Sequence, residues 1–144
     1  MVKIFNACIW LMVKDNKDIK VLMTNEQAGI GTPGGKIEKN ESCWKCMKRE
    51  FKEETGYELP ELYKYEKIRD GCTLVYIAST MDHVSESLGE KHCEKIKKLK
   101  LVKISTLKKV INNEIKMGLR SCTRRSAINI LNKYTNGLNH FFYE

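Results

Sequence analysis

No stretch of this sequence approaches the roughly 18 consecutive apolar residues that a membrane-crossing helix needs. With 42% hydrophobic residues, the composition is instead that of a soluble globular protein. The opening residues, Met1 to Trp10, hold one basic residue, an apolar stretch interrupted by Asn6 and no small-residue cleavage site. They read as a first strand and not as a secretion signal, which predicts a cytoplasmic protein. Repeats, linkers and low-complexity segments are also missing. A chain of 144 residues without them is expected to form one domain, 1–144, around its own core.

A second cysteine pair is lacking too. Cys43 and Cys46 form a Cys-x-x-Cys with no partner pair at zinc-site spacing, so packing within a helix is the expected role of both. In the absence of a secretion signal, all six cysteines are expected to be reduced thiols. What the chain does have is positive charge: 26 Lys and Arg against 18 Asp and Glu, a formal +8. That imbalance favours polyanionic partners such as nucleotides or RNA, although many of these lysines are ordinary solvated surface.

Residues 2 to 13 are rich in Ile, Val, Phe and Trp, and Ile19 to Thr24 alternate apolar with polar across a polar turn, a hairpin signature. Gly29-Ile30-Gly31-Thr32-Pro33-Gly34-Gly35 reads as a rigid loop leading to a short strand at Lys36-Ile37-Glu38. Helical spacing then predicts a helix over 42–55, closed by Gly56. Further strands are expected at Leu62 to Ile68, Cys72 to Ser79 and Lys100 to Ile104. A polar loop at Asp82 to Lys91 and a helical turn at Glu90 to Lys98 fall between the last two. Helices at Ser105 to Lys116, opened by a Ser or Thr cap, and at Thr123 to Tyr134 finish the chain.

The chemistry concentrates on the first helix. Glu50, Glu53 and Glu54 stand at i, i+3 and i+4, which puts three carboxylates on one face. Taken alone, such a cluster is a solvated acidic face paired with Lys45, Lys48, Arg49 and Lys52. The alternative is half of a site for a hard divalent cation, which takes oxygen ligands and is commonly shared between carboxylates and substrate phosphates.

The surrounding pattern decides between them. Gly35, five residues, Glu41, seven residues, Arg49-Glu50, the apolar Phe51, one residue, Glu53-Glu54, one residue, Gly56 and the bulky Tyr57 resemble the Nudix box at every fixed position. Pro33-Gly34-Gly35 also matches that family's usual lead-in. The resemblance implies an α/β fold, an α/β/α sandwich with a mixed sheet, and a magnesium-dependent hydrolase of diphosphate linkages in nucleotide substrates. Manganese satisfies the same oxygen ligands. Carried over by position, Glu53 and Glu54 resemble the principal metal ligands, with the Gly34 carbonyl as a further one. Glu50 resembles either a ligand or the base that activates water. Arg49 would hold a glutamate in one orientation, and Glu41 suits the helix dipole even without meeting metal. Relatives often add an acidic group from a later loop, for which Glu90 and Glu94 are the candidates here.

Lys36 is a candidate phosphate contact beside its plainer role as a surface lysine. Phe5, Trp10, Tyr57 and Tyr76 are possible base-stacking rings, although strand aromatics are more often core. The sequence departs from familiar subgroups in two ways. No proline follows the box at the spacing of ADP-ribose hydrolases, and Ile30-Gly31-Thr32 replaces the usual aromatic before Pro-Gly-Gly. Two enzyme readings follow: a MutT-like hydrolase of free nucleoside triphosphates or nucleoside diphosphate derivatives, favoured by size, and a decapping hydrolase of capped RNA, favoured by charge. The second would rely on Arg120, Arg124 and Arg125. A non-catalytic nucleotide or RNA sensor is expected to lose box carboxylates, and this chain keeps them all.

Overall fold

The computed structural model describes residues 3–80 and 99–143. Glu90 and Glu94, with the whole of the expected polar loop and helical turn around them, lie outside the described residues.

The predicted hairpin forms. β1 (Asn6–Asp15) and β2 (Asp18–Glu26) pair antiparallel from Met12↔Val21 to Asp15↔Asp18, and Asn16 takes a positive φ of 55° in the turn. Asparagine is among the few side chains that tolerate that conformation. The glycine-rich segment is less of a loop than expected. It contains two short strands, β3 (Gly29–Gly31) on β2 and β4 (Gly34–Lys36) on β1. The expected strand at 36–38 is therefore displaced towards the glycines, although Ile37 N–H still donates to the Phe5 carbonyl at 2.8 Å.

β5 (Leu62–Asp70) and β6 (Thr73–Thr80) form a second antiparallel hairpin, and β6 lies parallel to β1. β7 (Leu99–Lys103) joins β2. The sheet is mixed, in the order β3-β2-β1-β6-β5, with β4 and β7 branching from β1 and β2. One edge of β1 thus changes partner, from β4 at Asn6–Cys8 to β2 from Met12 onward. Gly34 and Gly35 sit in the resulting notch.

Strand alternation divides the core in two. Ile9, Leu11, Tyr76 and Ala78 face one way and pack with Cys46, Met47 and Phe51 of α1 (Cys43–Thr55). Trp10, Met12, Val75 and Ile77 face the other way. They meet Leu107 of α2 (Ile104–Ile111), Ala127 and Ile130 of α3 (Ser121–Lys133), and Phe141 of a C-terminal 3₁₀ turn. Helices on both faces of a mixed sheet give the expected α/β/α arrangement. α2 is shorter than predicted, because Asn112 ends it and Asn113 reverses the chain at φ 61°. Its N-cap is Lys103, which makes no side-chain cap bond, and not the serine or threonine expected.

α1 is capped as its sequence indicates. Ser42 Oγ accepts from Lys45 N–H at 3.1 Å, and Gly56, at φ 77°, donates to the Lys52 carbonyl at 2.8 Å. Between the caps, Phe51 is fully buried and binds the acidic helix to the sheet. Replacing it with alanine is expected to cost about 3–5 kcal/mol, the sum of lost transfer energy and cavity. Lys52→Ala, on the exposed side of the same turn, should stay within about 1 kcal/mol. Urea denaturation of both variants checks the contrast.

Candidate active site

The motif glycines and glutamates are spatially interlocked. A Cβ on Gly35 would stand 2.5 Å from both Cδ and Oε1 of Glu50, so that carboxylate fills the space a side chain would take. A Cβ on Gly34 would stand 2.6 Å from the Ala7 carbonyl and from Cys8 Cα, which bars any larger residue from the β1–β4 pairing. Gly34 N–H donates to Glu54 Oε2 at 2.8 Å. The two glycines thus bring α1's acidic face against the notch in the sheet.

Arg49 organises the rest. Its Nε and Nη2 make a bidentate pair with Glu41 at 2.7 and 3.0 Å, and Nη1 reaches Glu50 at 2.9 Å and Glu53 at 3.3 Å. Nη2 also donates to the Lys36 carbonyl at 3.1 Å. The consequences are charge-assisted bonds that hold the Glu41 carboxyl down at about 2 and the Arg49 guanidinium above its ordinary value. Glu41 Oε1 accepts from Glu38 N–H at 3.0 Å as well, closing the loop onto the helix. The side chain of Lys36 is exposed beside Gly35.

Glu50 and Glu54 have the opposite problem. Burial raises the Glu50 carboxyl above the usual range despite Arg49. Burial, then the negative charges of Glu26 and Glu50, push Glu54 to about 8, although the Gly34 N–H lowers it in part. Glu26, at the end of β2, therefore joins the cluster. Among the described residues no three carboxylate, imidazole or thiolate groups meet in a ready-made cage. Magnesium does not require one, since it is commonly held by one or two carboxylates while substrate phosphates and waters complete the octahedron. The donors fit that chemistry: Glu50 and Glu54 offer hard oxygen atoms, and their crowding with Glu26 leaves negative charge for a divalent cation to balance. Glu53 stands at the rim, its side chain 44% exposed.

A cavity of about 300 Å³ adjoins the two glycines, lined by Asn6, Cys8, Gly34, Gly35, Asp70 and Arg120 among others. A larger, more open concavity of about 690 Å³ runs along β5 and the C-terminal turn, but it shares no residue with the motif. Asp70 is buried in the wall of the first cavity, where it accepts from Ser126 Oγ and Asn129 Nδ2, each at 2.7 Å, and from Arg125 Nε at 3.3 Å. Arg124 donates to the carbonyls of Val110 and Ile111 at 3.2 and 3.0 Å, tying α3 to α2. Both arginines are thereby drawn into contacts within the fold. Cys8, enclosed beside the cavity, has its thiol pushed up to about 12 by burial and is an inert wall group.

Of the aromatic candidates, Trp10 and Tyr76 are core, Tyr57 packs behind α1, and Phe5 is half exposed. Cys46 is fully buried and contacts the Gly35 carbonyl at 3.5 Å, and the five described cysteines are unpaired. Sequence reasoning missed Glu26, Asp70 and the placement of Arg120. None of the three has a local signal, because strand pairing and the return of the chain at 118–120 bring them to the site.

A family model described as NUDIX domain matches residues 4–116. Among solved structures, the chain is similar to the NUDIX domain of Shewanella oneidensis NrtR complexed with ADP ribose. The identity is 15% and the TM-score 0.55, with 92% of this chain and 89% of that one covered. It is also similar to Shewanella oneidensis NrtR (17% identity, TM-score 0.62), of whose chain it covers 64% with 93% of its own. A C. elegans Ap4A hydrolase binary complex matches at 13% identity and TM-score 0.61, over 92% of this chain and 99% of that one. At these identities the structural likeness is one of fold. No curated protein matches the chain by sequence.

The Glu41–Arg49 pair generates a pH-dependent contribution to stability. Glu41 is lowered in the folded state from 4.5 to about 2, so its contribution is complete above pH 4.5 and lost as pH falls towards 2. Chemical denaturation across that window should show wild type more stable than Glu41→Gln at pH 6, with the gap closing towards pH 2. A gap independent of pH would mean that the pairing is not electrostatic.

Proposed function

Since this chain belongs to the NUDIX domain family, whose members in general hydrolyse phosphoric anhydrides, we propose that it is a magnesium-dependent hydrolase cleaving a diphosphate linkage in a nucleotide. The substrate is a free nucleoside triphosphate or a nucleoside diphosphate derivative. The observation that carries this reading is the crowding of half-buried Glu50 and Glu54 with Glu26 against Gly34 and Gly35, two glycines that also line a cavity. Its 300 Å³ suits one nucleoside-sized group.

In this reading Glu53, Glu54 and the Gly34 carbonyl hold the cation, with Glu50 beside them. A divalent cation there supplies charge neutralisation and Lewis acidity towards the diphosphate, and manganese meets the same donor set. Glu50 takes the proton from the attacking water, a role suited to a carboxylate whose proton affinity burial has raised. Arg49 keeps Glu50 in one orientation. Water oxygen bonds to phosphorus, the bridging P–O bond breaks, and the leaving phosphate oxygen departs with the electron pair. The products are a nucleoside monophosphate, or its equivalent, and the remainder.

The internal engagement of Arg124 supports free nucleotides over capped RNA, because it withdraws a cation that would track an RNA backbone, whereas Arg125, paired with Asp70, stays 61% exposed. NrtR, whose NUDIX domain was solved with ADP ribose, supplies the contrasting reading of a nucleotide-binding domain. Retention of every box carboxylate favours turnover here.

Product release with magnesium, measured side by side on a nucleoside triphosphate mixture and on cap-labelled RNA, tests the assignment. Free nucleotides should be hydrolysed faster, chelation should abolish turnover, and Glu53→Gln or Glu50→Gln should cut kcat by about 10²–10⁴. Faster release of the labelled cap would make this a decapping enzyme. No turnover of either substrate would make it a sensor.

A further inference from the structure

Residues 118–120 return to the sheet beside β3. Ile30 N–H donates to the Gly118 carbonyl at 2.7 Å, Arg120 N–H donates to the Ile30 carbonyl at 2.9 Å, and Leu119 bridges to Ile30 in parallel. The backbone of Arg120 is thus fixed, and its side chain lies across Gly31. A Cβ on Gly31 would stand 2.5 Å from Arg120 Nε, 2.7 Å from Nη2 and 2.9 Å from Cζ. The guanidinium occupies the volume that a side chain at position 31 would need. Gly31 lies within Ile30-Gly31-Thr32, the segment that replaces the aromatic usual before Pro-Gly-Gly.

Arg120 is also poorly satisfied. Among the described residues its one polar side-chain contact is a long one, Nη1 to Glu26 Oε2 at 3.5 Å, and its Nε is buried without a partner. Arg124, one helical turn further on, engages three acceptors. A guanidinium offers five N–H donors, so those of Arg120 that face the cavity are available to an acceptor that arrives there. Arg120 lines the cavity together with Gly34 and Gly35, and it touches Glu26, which in turn touches Glu54. The free donors therefore stand next to the face assigned to the diphosphate.

We propose that Arg120 binds a phosphate oxygen of the substrate and that Gly31 is its seat, kept without a side chain so that the guanidinium can lie there. The inference rests on the diphosphate reading above and adds a cation from the C-terminal part of the chain to the motif's own residues. The chemistry recognised is a diphosphate oxyanion, for which a planar fork is better matched than an ammonium.

Gly31→Ala provides a test that leaves Arg120 and Glu26 in the chain. The clash falls on the far end of a flexible side chain, so the guanidinium is displaced while the backbone stays. Calorimetry with magnesium would compare three probes on the intact protein: a nucleotide with methylene in place of the bridging oxygen, methylenediphosphonate alone, and the nucleoside. Arg120→Met and Gly31→Ala should each weaken the first two by about tenfold to a hundredfold, the loss of charge-assisted hydrogen bonds, and leave the nucleoside unchanged. Arg120→Lys should fall between, and the double variant should bind no worse than Arg120→Met. Wild-type binding of both diphosphate probes that survives in both variants would overturn the role of Arg120 and leave the hydrolase reading standing. If only the nucleoside weakens, Arg120 serves the base and the proposal fails. Failure of wild type to bind either diphosphate probe would overturn both readings together. Thermal melts of each variant separate lost binding from lost fold.

Discussion

Three carboxylates on one helical face repel, and the fold tolerates them because Arg49 stands among them. A planar cation with five donors can satisfy Glu41 through a bidentate pair and still reach Glu50, Glu53 and the Lys36 carbonyl. The effect is directional as well as energetic. Glu41 joins the loop before α1 to the helix, so the arginine fixes the distance between the glycine strand and the glutamates. An ammonium at the same position would neutralise charge without imposing that geometry.

The packing of Gly35 against Glu50 supplies the complementary constraint. Arg49 draws the carboxylates together from the solvent side, while the bare Cα of Gly35 admits one of them to the sheet. The spacing of the motif follows from this contact. Gly35 must lie where β4 fills the notch in β1, and Glu50 must lie two turns into a helix whose first turn is held by Ser42. Between them only a loop of fixed length closes the gap, and Glu41 pins it.

Local signals were legible and long-range ones were not. α1 could be read from its caps, from the apolar positions Cys46, Met47 and Phe51, and from the glutamate spacing, all of which act within a few residues. The β1–β2 hairpin could be read from alternation. β3 and β4 were hidden because three-residue strands exist only through partners on β2 and β1, and the glycines that form them also spell a loop. The end of α2 turned on one asparagine at positive φ. Glu26 carried no pattern at all and reaches Glu54 only because β2 runs to the open end of the sheet. The arginines of α3 looked like a free basic surface. Asp70 and the C-terminal carbonyls of α2 claim two of them, and a count of charges cannot reveal that kind of pairing.

The cavity beside the acidic face draws its walls from residues near 6–8, 32–35, 70–73 and 120–126. These four segments are far apart in the chain and become neighbours only when β1, β4, the β5–β6 turn and α3 have all docked. A partly folded molecule with an intact α1 therefore carries the glutamates but lacks the cavity. Any opening that releases α3 from Asp70 removes one wall at once. On the reading proposed above, substrate retention is a property of the cooperative unit rather than of the motif, and a bound ligand bridging those segments would resist the same openings by mass action.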